Sequence, residues 1–184
     1  LYNAVLRAEL NVTERSPHSM TVHYVDLSED AAIAGTYKDF KFVNSTEYPI
    51  YIEGYTTSDK KITFNIYGKE TRDKNRTISF ESQMVSETPA TTILQEDAGQ
   101  GIGYKAVSSK GSSGYVAELY KIVKVNGVET DRIKVNKSTY KGTNRVVTYG
   151  TAGDPTLSEN LRAAIAAQDE ALADANIAAA VPAQ

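Results

Sequence analysis

The chain has 184 residues, 41% of them hydrophobic, with no Cys, no Trp and 12 Tyr, and a formal net charge of -3. Without cysteine it holds no disulfide, thiolate metal site or thiol nucleophile of its own, and so small a negative charge gives no basic field for nucleic acid. No apolar run approaches the ~18–20 residues needed to cross a bilayer, and no signal peptide is legible.

A helix pattern opens at once. Leu1, Val5, Leu6 and Leu10 fall at helical spacing, while Asn3, Arg7 and Glu9 can face water. The pattern begins without a cap, so the natural polypeptide is expected to continue upstream, with any export signal there. Residues 20–27 alternate loosely, and 38–44 put Phe40 and Phe42 on one face. Ile50 and Ile52, then Ile62, Phe64 and Ile66, keep a two-residue period around a polar turn at 56–61, which predicts a hairpin over 50–67 with Pro49 at its start. Ile78, Phe80 and Met84 mark another strand over 77–85, and the Ser/Thr/Pro-rich stretch 86–92 reads as a linker.

Beyond it, Gly99, Gly101, Gly103, Gly111 and Gly114 precede a long strand over 115–125. Asn126-Gly127 is a tight-turn signal, because both positions tolerate positive φ, and 128–135 supplies the returning strand. A last strand over 145–149 stops at Gly150-Thr151. From Pro155 alanine dominates, and Leu161, Ile165 and Leu172 share one side of a single helix reaching about Ala180, capped by Thr156 or Ser158, with Glu159 in the first turn. Its narrow apolar stripe can dock on a β-module or pair with another chain, but a solvated helix is the favoured expectation, ended by Ala178 to Val181 and Pro182. The fold class is α+β, mostly antiparallel β, with an N-terminal helix and strands (1–85), a small all-β module (86–152) and an Ala-rich helical tail (153–184).

The candidate chemistry is sparse. His18 and His23 are the only histidines, and their spacing is wrong for a helical metal site. Asp26, Glu29 and Asp30 lack the alternating acids and central glycine of a calcium loop and read as a solvated turn. Gly99-Gln100-Gly101-Ile102-Gly103 has no strand-loop-helix unit around it, so no phosphate site is expected. No metal and no cofactor are expected. Tyr48, Tyr51, Tyr55 and Tyr67 can offer ring faces to sugars or pack across strands, and Tyr51 and Tyr55 are the ligand-binding candidates.

The run Leu1-Tyr2-Asn3-Ala4-Val5-Leu6-Arg7-Ala8, then Glu14-Arg15-Ser16-Pro17-His18-Ser19, Val22-His23-Tyr24-Val25, Asp30-Ala31, Lys38 to Asn44 and Tyr48 to Glu53, resembles the later part of the VanW domain of Gram-positive cell-envelope proteins, over about the first seventy residues. In that family the opening helix follows a Gly-rich segment and a Cys-Gln-x-Ser stretch that this chain lacks. The resemblance implies that such a cysteine at a helix N-terminus, with His18 as base and Asp30 or Asp39 as orienter, has the order of a transglutaminase-like or papain-like triad. Asp30 is the candidate carried forward, and this chain alone is expected to be inactive. A half domain exposes core surface, so the missing segment or a partner is expected to cover the first module.

Lys110-Gly111-Ser112-Ser113-Gly114-Tyr115, Val125-Asn126-Gly127, Ser138-Thr139-Tyr140 and Gly150-Thr151 resemble the G-five domain over about 86–151, for which adhesion and binding of amino-sugar polymers are the usual proposals. Together the resemblances imply an extracellular, wall-associated fragment. It would bind peptidoglycan or another wall glycan or peptide, accessory to wall modification or glycopeptide resistance. The alternatives are part of a Cys-His-Asp acyl transferase or amidase, and a structural spacer or adhesin.

Overall fold

The structure is a computed structural model and describes residues 1–180. In chain order its elements are α1 (Tyr2–Arg7), β1 (Asn11–Glu14), β2 (Lys41–Val43), β3 (Tyr51–Thr56), β4 (Ile62–Tyr67), β5 (Arg76–Thr88), β6 (Thr92–Gly101), β7 (Lys105–Ser112), β8 (Gly114–Val125), β9 (Val128–Tyr140), β10 (Thr143–Ala152), α2 (Pro155–Ala166) and α3 (Glu170–Ala180). The chain is α+β and mostly β, as its periodicity predicts.

Two compact units result, and each is discontinuous in sequence. The first joins Leu1–Glu87 to Tyr115–Lys141; the second joins Thr88–Gly114 to the residues from Gly142 on. The linear division at 85 and 152 is therefore not how the chain packs. The reason lies in β8, which sits between β5 and β9 in one three-stranded sheet and buries Leu119 in a cluster with Tyr2 and Leu6 of α1. Nor is 86–92 a linker throughout, since β5 runs to Thr88 and β6 starts at Thr92.

In the first unit, α1 is short but amphipathic: Tyr2, Val5 and Leu6 are buried, and Leu10 just beyond it joins them. Phe40 meets the Tyr2 ring edge-on at 5.3 Å and stacks on Phe42 at 5.6 Å. β1 pairs antiparallel with β2, and β3 with β4 in an unbroken register from Tyr51↔Tyr67 to Thr56↔Ile62. The β8–β9 hairpin turns at Asn126 and Gly127, with φ of 53° and 81°, the left-handed pair that a two-residue turn demands. The strand expected over 20–27 does not form. That segment leads into backbone whose polar groups are met one at a time: the Ser28 N–H donates to the Tyr140 hydroxyl (2.7 Å), the Ser28 hydroxyl to the Ala117 carbonyl (3.0 Å), and the Ala32 N–H to the Ser16 carbonyl (2.8 Å).

In the second unit β10 is central, antiparallel to β7 but parallel to β6, from Arg145↔Thr92 to Gly150↔Asp97. Alternation alone does not reveal such a parallel pair. The Ala-rich tail is two helices, not one, and α2 is docked, not solvated. Leu161, Ala164 and Ile165 of α2 and Ala173 of α3 are buried against Leu94, Val147 and Tyr149. Full burial of Leu161 alone contributes about 1.5–3 kcal/mol, which is ample reason for a narrow stripe to dock. Neither Thr156 nor Ser158 caps α2. Asp154 does, accepting from the N–H groups of Thr156 (2.9 Å) and Leu157 (3.1 Å) with Pro155 in the first turn, while the Ser158 hydroxyl donates to the Thr151 carbonyl at 2.6 Å. The break falls at Gln168, whose φ is 55°; it shifts the register so that Ala173 points inward and Leu172 is exposed. The helix stop expected at Val181 and Pro182 lies outside the described residues.

Candidate functional site

Asp30 is the centre of a buried polar cluster in the first unit. One carboxylate oxygen, Oδ1, accepts from Arg15 Nη2 (2.9 Å) and from the Tyr140 hydroxyl (2.5 Å). The other, Oδ2, accepts from the His18 backbone N–H (2.6 Å) and lies 2.8 Å from His18 Nδ1. Arg15 is itself fixed by the Asp30 carbonyl at Nε (2.7 Å), the Ser138 hydroxyl at Nη1 (2.8 Å) and the Ser28 carbonyl at Nη2 (3.3 Å), with its guanidinium 5.5 Å from the Tyr2 ring centre. Asn136 completes the ring of contacts by donating to the Tyr2 hydroxyl (2.8 Å) and the Ser28 carbonyl (3.1 Å).

Burial raises the Asp30 carboxyl, but the His18 N–H, the Tyr140 hydroxyl, the His18 ring and Arg15 together outweigh it and hold the group below the usual carboxylate range. Burial, reinforced by this carboxylate, pushes the Tyr140 phenol up. Asp30 is thus an ionised, fully enclosed acceptor. It is no solvated turn residue.

His18 is the exposed end of this cluster, with one-third of its side chain open to solvent. When the imidazole is neutral, an Asp30 partner at Nδ1 places the proton there and leaves Nε2 as the outward acceptor. The Tyr24 hydroxyl stands 3.5 Å from Nε2, and its ring meets the imidazole edge-on at 6.3 Å. The structure therefore brings His18 and Asp30 together. His23 is exposed and shares no hydrogen bond with them, and Asp39 instead accepts from the Phe40 N–H. Among the described residues no group of three or more His, Cys, Asp or Glu is placed to hold a metal ion. Sequence reasoning missed Tyr140, Ser138 and Asn136, which come from β9 more than a hundred residues away; only the Ser-Thr-Tyr run at 138–140 hinted at them.

The second candidate lies on the β3–β4 hairpin. Tyr51 sits opposite Tyr67 with ring centres 6.1 Å apart, and Tyr55 lies two residues beyond Glu53 on the same face. Both sequence-derived candidates, Tyr51 and Tyr55, are solvent-facing. An open cleft of about 880 Å³ runs between the end of α1 and β4, lined by Arg7, Tyr48, Phe64, Tyr67 and Arg72 among others.

Residues 1–67 match the family model "VanW like protein". The "G5 domain" model matches residues 80–152. The VanW-like stretch thus occupies the N-terminal end of this chain; that position, not the expected later half of a domain, is what the match gives. Two solved structures resemble the chain: "IgA1 Protease G5 domain structure", 24% identical with a TM-score of 0.32, covering 46% of this chain and 100% of that one, and "Crystal structure of HP0197-G5", 20% identical with a TM-score of 0.25, covering 41% and 97%. No curated protein matches the chain. Among the described residues no helix is long and apolar enough to cross a membrane.

Proposed function

We propose that the chain belongs to an exported cell-envelope protein and associates with peptidoglycan or another wall glycan, as an accessory to wall modification or glycopeptide resistance. The observation that carries this is the pairing of a VanW-like stretch over 1–67 with a G5 stretch over 80–152 in one polypeptide. The test is co-sedimentation of the chain with purified peptidoglycan sacculi, against cellulose as a control. Depletion by sacculi alone is expected. Equal recovery from both supernatants removes the reading and leaves a spacer.

A second reading has a specific observation in its favour, the 2.8 Å contact between His18 Nδ1 and Asp30 Oδ2. In it the intact protein is a cysteine acyl transferase or amidase acting on wall peptides. The thiol would come from the segment that the VanW resemblance places before α1. Its thiolate attacks a peptide carbonyl, His18 takes the thiol proton and gives it to the leaving amine, and a second nucleophile releases the acyl group. Asp30 keeps Nε2 facing the thiol and supports the imidazolium. The chain has no cysteine, so the assay needs the full-length protein: fast alkylation by an electrophilic thiol probe that collapses in His18→Ala supports this reading, and slow alkylation indifferent to His18 ends it.

A further inference from the structure

We infer that the outer face of the β3–β4 hairpin is a saccharide-binding platform built from Tyr51, Tyr55 and Tyr67 around a Glu53–Asn65 pair, and that it takes a neutral or N-acetylated pyranose chain. The inference rests on the wall-glycan reading and gives it a place.

The register decides which residues share this face. In an antiparallel pair, directly opposed residues point the same way and the next pair points the other way. Tyr51↔Tyr67, Glu53↔Asn65 and Tyr55↔Thr63 therefore lie on one side, and Ile52↔Ile66, Gly54↔Phe64 and Thr56↔Ile62 on the other. The hydrophobic residues of the hairpin are thus sorted, with aliphatic chains and Phe64 to one face and every tyrosine to the opposite one. The tyrosines stay in solvent: Tyr51 is 65% exposed, Tyr67 52% and Tyr55 48%. Tyr51 and Tyr67 pack on one another across the strands and still leave half or more of each residue open to a ligand.

The polar groups between the rings are oriented. Glu53 Oε2 accepts from Asn65 Nδ2 (2.9 Å) and from the Tyr67 hydroxyl (3.1 Å), which pins the carboxylate and the Tyr67 ring together. That leaves Glu53 Oε1 and Asn65 Oδ1 without a hydrogen-bond partner among the described residues, on the residue pair that lies between Tyr51↔Tyr67 and Tyr55↔Thr63. A pyranose ring presents just the complementary chemistry, with C–H faces that stack on aromatic rings and hydroxyl or amide hydrogens at its edge that seek acceptors. The Tyr51 and Tyr67 rings, tilted by 33°, make one broad surface. Tyr55 lies four residues along the strand, about 13 Å away at ~3.3 Å per residue, so the platform is long enough for more than one sugar ring. Of its six residues none is basic and one is acidic, and Arg72, which lines the cleft beside Tyr67, is already paired with Glu9 and Glu70; this favours an uncharged sugar over an anionic polymer.

The tyrosines are expected to be dispensable for folding. The Phe64 ring lies over Gly54, where a Cβ would come within 2.8 Å of it, so the cross-strand contact on the opposite face uses none of them. Removing the outer tyrosines leaves that packing intact.

The experiment measures binding of the full chain to chitotetraose by calorimetry and to sacculi by co-sedimentation, for the wild type, Tyr51→Ala/Tyr67→Ala and Tyr51→Phe/Tyr67→Phe, with circular dichroism and Tm on each. The alanine variant is expected to weaken binding by about tenfold or more at an unchanged Tm, and the phenylalanine variant, which keeps the ring faces, to stay within about threefold. Loss of sacculus binding in the alanine variant without chitotetraose affinity in the wild type supports the platform with a different sugar. Should the alanine variant unfold, Glu53→Ala, which deletes the oriented acceptor, is expected to weaken binding in a folded chain. Wild-type affinity in the folded alanine variant, or in Glu53→Ala should the alanine variant unfold, overturns the platform and leaves the wall-glycan reading standing; no binding by the wild type to either probe overturns both.

Discussion

Gln168 lays its side-chain amide across the backbone of Leu94 as a neighbouring strand would. Its Oε1 accepts from the Leu94 N–H at 2.8 Å, and its Nε2 donates to the Leu94 carbonyl at 3.0 Å and to the Ile165 carbonyl at 2.8 Å. β6 is an edge strand, so this amide satisfies backbone groups that would otherwise be buried under α2 without partners. The left-handed backbone at Gln168 is what turns the side chain towards β6 while also breaking the helix.

Replacing Gln168 with Ala leaves the Leu94 N–H and C=O unpaired beneath the helix. The expected loss is about 1–3 kcal/mol, read by urea denaturation, with faster amide exchange at Leu94 as the local signature. Gln168→Glu keeps the acceptor but loses the donor and is expected to fall between wild type and Ala. Unchanged exchange at Leu94 in Gln168→Ala would contradict the strand-mimic account.

Asp30 offers a sharper test. Asp30→Asn removes the charge opposite Arg15, whose side chain is almost wholly buried, and an uncompensated buried guanidinium costs about 3–5 kcal/mol. His18→Ala costs less, about 0.5–1.5 kcal/mol, because the His18 backbone N–H still donates to Asp30. The pH dependence has a definite sign. The folded-state pKa of Asp30 is lowered, so its stabilisation is present above the ordinary carboxylate pKa and is lost as pH falls through the folded value. Unfolding free energies measured from neutral pH into acid should converge for wild type and Asp30→Asn at the acid end.

Much of this architecture is legible in the sequence, and the gaps have physical causes. The β3–β4 and β8–β9 hairpins follow from period-two patterns and from Asn126-Gly127, because those signals are local. The 2.8 Å contact between His18 and Asp30 is within reach only through the family resemblance, which leaves Asp39 open as well; the local pattern around Asp30 reads as a solvated turn, because its partners Arg15, His18 and Tyr140 are not its sequence neighbours. Residues 20–27 alternate without pairing; the Leu27 carbonyl accepts from the Ser82 hydroxyl of β5, and Ser28 just beyond is held by Tyr140 and Asn136 of β9, distant partners that no local pattern reports. The docking of α2 was hidden for a similar reason: Ala164 and Ala173 fill the space facing Val147 and Tyr149, and alanine carries too little hydrophobic signal to reveal a buried face. The break at Gln168 has no Gly or Pro to announce it.

Glu9 predicts a second acid-sensitive contact in the first unit. Its Oε1 accepts from Arg76 Nη2 (2.7 Å) and Lys121 Nζ (3.0 Å), and its Oε2 from Arg76 Nη1 (2.5 Å) and Arg72 Nη1 (3.2 Å). One carboxylate thereby ties the end of α1 to β5 and β8. Arg76 above all, with Lys121 and Arg72 and against the opposing effect of burial, pulls the carboxyl down to about 2. A depressed pKa means stabilisation that is complete above the unfolded value near 4.5 and disappears between there and about 2. Glu9→Gln is expected to lower Tm by a few degrees at neutral pH and to flatten the fall in Tm across that acid window. A parallel, equally steep fall in the variant would assign the acid sensitivity elsewhere.

Gly150 marks the tightest backbone approach in the second unit. It lies on β10 where the parallel pairing with β6 shifts register between Gly150↔Asp97 and Ala152↔Gly101, and a Cβ there would collide with the Gly101 carbonyl oxygen and come within 2.8 Å of both the Gln100 carbonyl oxygen and Cβ. Two of these obstacles are backbone, which cannot rotate away as a side-chain tip can. Gly150→Ala must therefore separate β10 from β6 beside Tyr149 and Thr151, both fully or almost fully buried, and the core under α2 opens with it. The expected cost is several kcal/mol, at the large end of single-substitution effects. Gly127→Ala is the natural comparison, because its Cβ would meet nothing within 4 Å and its only penalty is a φ of 81°. Denaturant midpoints should rank wild type, Gly127→Ala and Gly150→Ala in falling order, and amide exchange should rise around β6 and β10 for Gly150→Ala alone; equal midpoints for the two variants would mean that strand separation at Gly150 is relieved at little cost.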